Sequence, residues 1–487
     1  MKKISVDKKE ITIVPNMNRV MLRPFRIDKD RTHGLVKRIL ALSEEEAQTK
    51  YESVLEEFDH RHRRFEETVL INYDRIRQVV GLETEPSRAH QLLIGSFFTH
   101  EYSIEAAALF NPSVVWHPDQ SGVPEGSKRF ALSLRATGEG HISSIIFRTG
   151  IFDEQGNVTI DEDSEFSTAP IQYNEVRLSR KFIIKKVAEI GLGELTNDPL
   201  IEQLPERFTL GELKGLVQSD SRFEDHVMLS TALVSLLSAN YEMVFAEDTS
   251  LSERVIFPYA AREMNGMEDA RFVELEDEDG TSRYYATYTA YSGMLIFPQL
   301  LETDDFITFR VRTLAGKGAQ NKGMALFPRR INGQYAMLGR QDGENIYIMF
   351  SDDLYIWRES QLLIEPQQTW EFIQMGNCGS PIETPDGWLV LSHGVGPMRK
   401  YCLGIFLLDL HDPTRVIGRL PYPLMYAEGE EREGYVPNVV YTCGALCLGN
   451  QLFIPYAKSD YSTGFATVSV SELLAAMIGT REVISNK

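Results

Sequence analysis

Two textures of apolar and polar positions divide this chain. Over the first hundred residues the apolar side chains recur at helical spacing. They run through residues 35–42, then 44–72 with dense charge between them, then a stretch opened by Pro86 that carries Leu92, Leu93, Ile94, Phe97 and Phe98. Residues three and four apart share one face of a helix, so this pattern predicts about three helices. Ser43 followed by Glu46 fits a capping box at a helix start. The segment FDHRHRRFEE, residues 58–67, reads as a charged helix face whose basic residues are balanced by Glu56, Glu57, Asp59, Glu66 and Glu67.

From about residue 105 the period shortens to that of strands. Alternating runs begin at Arg129 (RFALSLRATG), Arg283 (RYYATYTAYSG), Gly333 (GQYAMLGRQDG), Gly387 (GWLVLSHGV) and Asn450 (NQLFIPYAKSD). The last three are spaced by about 54 and 63 residues, the length of a four-stranded blade. The gap from Arg129 to Arg283 is longer, and residues 185–250 fill part of it with helical runs, LGELKGLVQS and HVMLSTALVSLLSANYEMVF. Five such repeats predict an all-β fold, a five-bladed β-propeller over 101–478, with a helical N-terminal extension over 1–100 and a helical insertion at about 185–250. A pair of β-sandwiches explains the repeat spacing less well.

Composition narrows the partners. The chain has 487 residues, 43% of them hydrophobic, as expected of a globular protein. Acidic residues number 70 and basic residues 50, a formal charge of −20, which argues against nucleic acid or an anionic membrane as partner. Four cysteines without a CxxC pair predict neither a disulfide framework nor a zinc site. The histidines are scattered, so no metal or organic cofactor is expected. The opening MKKISVDKKEITIV has no apolar core and predicts no signal peptide, hence a cytoplasmic protein. The most apolar stretch, Val227 to Phe245, is broken by Ser230, Thr231, Asn240 and Glu242 and predicts a buried helix, not a membrane span.

In a propeller the inner strands line one central funnel. Arg135, Asp269, Arg340, His393 and Asp460 stand at comparable places in the repeats, so their side chains are expected to converge. NGMEDARF, residues 265–272, is the sharpest short motif, with Glu268 and Asp269 adjacent and Arg271 two residues beyond. Neighbours on an extended strand face opposite ways, so one of the two carboxylates is expected to face the funnel. Cleavage of a glycosidic bond needs such a carboxyl to protonate the leaving oxygen.

The motifs, in order, are LFNPSVVW, LSLR, NGMEDARFVEL, YATYTAY, ALFPRRINGQYAMLGR, WEFIQMGNCGSPIETPDGWLVLSHGV, GIFLLDLHDPTRVIGR and YVPNVVYTCGAL followed by FIPYAKSD. Together they resemble glycoside hydrolase family 130, the β-mannoside phosphorylases and β-mannosidases, over about residues 105–475. The resemblance implies an inverting enzyme with Asp269 as general acid, its proton reaching the leaving oxygen through the 3-hydroxyl of the bound mannose. It implies Asn111, Arg135 and Asp460 as mannose ligands, and Lys322, Arg340 and His393 as the cationic, phosphate-binding side.

One departure stands out: Gln374 occupies the place where many phosphorylases of the family carry a further lysine. The first expectation is phosphorolysis of a β-mannoside oligosaccharide with inorganic phosphate, giving α-mannose 1-phosphate. The alternatives are an inverting β-mannosidase, of β-1,2-mannosides in particular, with Glu383 or Glu433 as base, and a non-catalytic sugar-binding propeller. The N-terminal helices are expected to pack on the propeller or to mediate self-association into a homo-oligomer.

Overall fold

A computed structural model describes residues 4–219, 227–293 and 296–478. Beyond residue 100 the chain is strand-rich, and its strands run in five successive antiparallel groups among the described residues. The first group is built on Ala108–Trp116, Ser127–Thr137 and Ser143–Asp153, and the second on Gly266–Glu276, Ser282–Tyr291, Ile296–Thr303 and Thr308–Thr313. One parallel register pair, Gly266 with Ser143, joins these two into a single eleven-stranded sheet. The third comprises Lys322–Leu326, Tyr335–Arg340, Ile346–Ser351 and Gln361–Ile364. The fourth comprises Gln374–Asn377, Gly387–Val395, Tyr401–Leu408 and Val416–Arg419. The fifth runs through Val440–Tyr441, Gln451–Lys458 and Ser462–Ser469.

Apolar cores lie between these groups. Phe147, Phe272 and Phe309 pack between the first and second. Trp357 and Met349 meet Leu300 and Val273 between the second and third. Phe327 lies 5.1 Å from Trp388 between the third and fourth. Leu389 and Leu403 pack with Ile454 and Ala466 between the fourth and fifth. Phe130 and Phe152 then meet Phe453 and Phe465, so the last group packs on the first. Strands buried on both faces read as continuous apolar runs, which is why LLDL and LFIPYA lack clean alternation.

The N-terminal hundred residues are not helical throughout. Asp7–Ile13 is a strand that pairs with Ser462–Ser469 and forms the outer edge of the fifth group. Its sequence, DKKEITI, is mostly charged because an edge strand meets solvent, and that polarity hid it. Val20–Pro24 pairs with Thr99–Ser103. Between them lie four helices, Lys29–Leu40, Glu44–Phe58, Phe65–Val80 and Arg88–Phe97, around a core of Val36, Tyr51, Val69, Tyr73 and Leu93. The Ser43 capping box forms, with Glu46 N to Ser43 Oγ at 3.2 Å and Ser43 N to Glu46 Oε2 at 2.8 Å.

FDHRHRRFEE is a break between helices, not a helix face. Arg64 takes φ 55° there. Arg61 and His62 pair with Glu101 at 2.9 and 2.8 Å, Arg63 with Glu253 at 2.6 Å and Arg64 with Asp248 at 2.8 Å. These contacts tie the helices to the strand-rich part.

The inserted helices begin at Arg180–Val187 and continue through Leu210–Ser219 and Val227–Ser238, with residues 220–226 of the insertion outside the described residues. Helix gives way to strand sooner than expected. Tyr241–Val244 pairs with Thr308–Thr313 and Gln172–Glu175, with Tyr241 and Met243 buried on one face. Ile183, Phe208, Leu213, Leu233 and Leu236 give the insertion its own core.

Candidate active site

The first strand of each group carries residues to one cavity of about 300 Å³. Asn111 comes from the first group, Glu268, Asp269 and Arg271 from the second and Lys322 from the third. Gln374 and Asn377 come from the fourth and Tyr441 from the fifth. Second strands add Arg135, Arg340 and His393, and Asp460 follows the second strand of the fifth group. All seven residues singled out from the sequence, Asn111, Arg135, Asp269, Lys322, Arg340, His393 and Asp460, therefore line the same cavity.

Irregular backbone aims them. The strand ladders slip between Phe110 and Ser113, between Glu268 and Arg271, and between Lys322 and Ala325. At these bulges Asn111 takes φ 48° and Asp269 φ 55°, and Asn321 and Gly323 flank Lys322 at 63° and 87°. Asp460 takes φ 51°. Left-handed backbone on non-glycine residues is strained and clusters where a side chain must be re-aimed.

The bulge at Asp269 overturns the expectation that one carboxylate of the pair faces inward. Strict alternation fails there, so Glu268 and Asp269 both line the cavity. Arg135 contacts both, Nη2 to Glu268 Oε1 at 2.7 Å and Nη1 to Asp269 Oδ1 at 3.4 Å. Phe110 lies 5.1 Å from the Arg135 guanidinium and supports it. Asn111 Nδ2 donates to Asp269 Oδ1 at 2.6 Å. Arg271 does not bind the Asp269 carboxylate. It donates to the carbonyl oxygens of Asp269 and Cys378 at 3.2 and 3.0 Å and to Tyr441 Oη at 2.7 Å.

Glu268, Asp269 and Asp460 supply three carboxyls, and Arg135, Arg271, Lys322, Arg340 and Arg399 five cations. Lys322, Arg340 and Arg399 have no carboxylate within ion-pair distance among the described residues, which leaves the cavity with positive charge that no ion pair neutralises. Burial disfavours ionisation of Asp269. Arg135, Arg271, Lys322 and the Asn111 hydrogen bond outweigh it together, and the carboxyl sits below its usual range. Asp460 behaves oppositely: burial, with Asp269 adding to it against Arg135 and Arg399, pushes its carboxyl up to about 7.

His393, expected with Lys322 and Arg340 among the phosphate-binding residues, lies beside Arg340 in the cavity. Arg340 Nη1 lies 3.2 Å from His393 Nε2, and a guanidinium can only donate, so that nitrogen accepts. Burial, then Arg340 and Arg271, hold the imidazole well below its usual pKa, so it is neutral. Its ring packs beside Tyr441 and Tyr401 at 4.9 and 6.1 Å.

Three buried side chains in this cavity have polar atoms without hydrogen-bond partners among the described residues: both amide atoms of Asn377, Asn111 Oδ1 and Arg340 Nε. Buried polar atoms are rarely left so, and their convergence on one cavity fits a polar ligand. Neither proposed base is here. Glu383 is held by Arg329 through two contacts of 2.7 Å on the surface, and Glu433 lies in an exposed turn. Gln374 does line the cavity, and its Nε2 donates to Tyr401 Oη at 3.2 Å. Sequence reasoning missed Glu268, Arg399 and Asn377 as lining residues. Arg399 sits in a turn, Pro397–Arg399, whose reach no periodicity reveals. The orphaned polarity of GNCG, between apolar runs, was the signal available for Asn377.

No group of three or more His, Cys, Asp or Glu residues suited to a metal occurs among the described residues, and no helix there is long and apolar enough to cross a membrane.

A sequence-family model described as beta-1,4-mannooligosaccharide phosphorylase matches residues 241–478. A 1,2-beta-oligomannan phosphorylase of Thermoanaerobacter sp. is 35% identical over 46% of this chain and 75% of its own length. A beta-1,2-mannobiose phosphorylase of the same organism is 34% identical over 42% of this chain and 67% of its own. The solved beta-1,2-mannobiose phosphorylase of Listeria innocua, in complex with beta-1,2-mannobiose, aligns over 76% of this chain and 92% of its own at 23% identity and a TM-score of 0.45.

Proposed function

This chain belongs to glycoside hydrolase family 130, and from that premise we propose that it is an inverting β-mannoside phosphorylase. It cleaves a β-mannosyl linkage with inorganic phosphate, giving α-mannose 1-phosphate and a shortened acceptor. The observation that carries this reading is the three cavity cations without an ion pair among the described residues, Lys322, Arg340 and Arg399, in a cavity that also holds three carboxyls. A dianionic nucleophile needs such donors, and a water nucleophile does not.

The proposed roles follow from position. Asn111, Arg135 and Asp460 hold the mannosyl unit, and Asn377 offers it or the phosphate a further amide. Phosphate sits against Lys322 and Arg340, with neutral His393 keeping the Arg340 guanidinium in place and Arg399 adding the charge that Gln374 lacks. A phosphate oxygen attacks the anomeric carbon from the face opposite the leaving group, so β becomes α. As the glycosidic bond breaks, the Asp269 proton passes to the leaving oxygen through the mannose 3-hydroxyl. In the free site nearby cations favour ionised Asp269. A bound phosphate dianion offsets them and raises its proton affinity. Phosphate thereby helps to protonate the acid it works with.

The five antiparallel groups, with cores between successive groups and between the last and the first, support a five-bladed propeller. The names of the relatives favour a β-1,2 linkage. A cytoplasmic site suits a reaction that retains bond energy in a sugar phosphate. The reverse reaction tests the assignment: α-mannose 1-phosphate and mannose should release inorganic phosphate and form a β-mannobiose. No phosphate release with any mannose-type acceptor would overturn it.

A further inference from the structure

A second cavity, of about 610 Å³, shares no lining residue with the first. It opens between the inserted helices and the third strand group. Arg177, Lys181, Lys185 and Arg207 face it from the insertion, and Arg312 and Arg358 from the sheet side. Six cations around one cavity are unexpected in a chain with twenty more acidic than basic residues.

Their negative partners are few. Asp352 and Asp353 also line the cavity and keep their charge, two carboxylates against six cations. Asp352 Oδ1 accepts from Gln334 Nε2 at 3.0 Å, and Asp353 Oδ1 from Tyr355 N at 2.9 Å. Arg177 pairs with Glu212 at 2.5 Å and Arg312 lies 3.9 Å from Glu302. Lys181, Lys185, Arg207 and Arg358 have no ion pair among the described residues. Lys185 Nζ is shielded from solvent and has no hydrogen-bond partner among the described residues. An ammonium so placed is costly unless an anion answers it. Burial, then the neighbouring Arg358 charge, weakens its hold on the proton, against Glu189 and Asp353, which only partly offset them. Beside the cations Phe182, Ile184, Phe350 and Ile356 give the cavity an apolar wall.

We infer that this cavity is a second ligand site, which binds a phosphate monoester: the phosphate among Lys181, Lys185 and Arg358, and an uncharged ring against Phe182 and Phe350. Guanidinium and ammonium groups converging from two elements suit a phosphate dianion, and the apolar wall suits a sugar or base. The inference does not depend on the reaction proposed for the first cavity.

Isothermal titration of the full chain with glucose 6-phosphate, adenosine monophosphate and inorganic phosphate tests it, and the first two probes distinguish a sugar from a nucleoside body. The measurement is repeated on Arg340→Ala, which disables the first cavity, and on Lys185→Gln and Arg358→Glu. Because Arg358 is exposed, its replacement should leave folding intact. At least one monoester should bind with unchanged affinity in Arg340→Ala and at least about tenfold more weakly in Arg358→Glu, which removes one charge-assisted contact and adds a repulsive one. Binding lost in Arg340→Ala but kept in Arg358→Glu would assign the ligand to the first cavity and overturn the inference. So would no monoester binding to the wild type.

Discussion

Arg340 donates to Nε2 of His393 across 3.2 Å, and this contact fixes the tautomer of a buried histidine that lines the cavity. The proton must sit on Nδ1, which faces Cys378 Sγ at 3.9 Å. His393 should therefore stay neutral throughout the working pH range. Nitrogen-detected NMR should show an Nδ1–H imidazole that does not titrate between about pH 5.5 and 8, against an ordinary value near 6.5. An imidazolium at pH 6 would make His393 a direct phosphate cation.

Asp269→Asn keeps size and hydrogen bonding and removes the proton. Turnover on an unactivated β-mannoside should fall by on the order of a hundredfold or more. An activated aryl β-mannoside, whose leaving group needs no proton, should recover much of that loss, with folding unchanged. Because phosphate offsets Arg271 and Lys322, the basic limb of kcat at saturating phosphate should lie at higher pH than that of kcat/KM for phosphate. Near-normal turnover in Asp269→Asn would move the acid to Glu268.

Arg399 and Gln374 both line the cavity beside Tyr401, and in the proposed reaction both serve the phosphate. Arg399→Gln should raise KM for phosphate by about tenfold, the loss of one charge-assisted contact, with a smaller change in KM for the mannoside. Gln374→Lys should lower it. Initial rates across a phosphate series decide both. An Arg399→Gln variant impaired only toward the mannoside would place Arg399 with the acceptor.

Asp460 carries a stability cost that grows with pH. Its folded carboxyl, raised to about 7, lies above the unfolded value near 4, so its contribution is fully present below about pH 4 and is lost as pH rises through about 7. Asp460→Asn removes that loss. The variant should gain on the order of 1 kcal/mol relative to wild type at pH 8 and nothing near pH 4, while its activity falls. Denaturant melts at the two pH values measure it. A variant destabilised equally at both would mean that Asp460 is ionised and paired.

Much of this site was legible because its residues recur at fixed places in a repeat. What the repeat could not give was local backbone. Alternation predicts one inward carboxylate at Glu268 and Asp269, and a bulge gives two. The same irregularity turns Asn111 inward beside a proline that interrupts the ladder. Glu383 and Glu433 looked available as bases only because Arg329 and the exposed turn that occupy them are distant in sequence or unpatterned. The strand Asp7–Ile13 was invisible because its partner lies some 450 residues away. Deleting residues 1–100 would strip that partner from Ser462–Ser469. It should lower Tm and promote aggregation through the bared edge, which light scattering would reveal.

Product analysis decides between phosphorolysis and hydrolysis directly. β-1,2-Mannobiose is incubated with the protein in phosphate-free buffer and again with added inorganic phosphate, and the sugars are resolved. Cleavage should depend on phosphate and yield equal amounts of α-mannose 1-phosphate and mannose. Cleavage at full rate without phosphate, giving mannose alone, would contradict it.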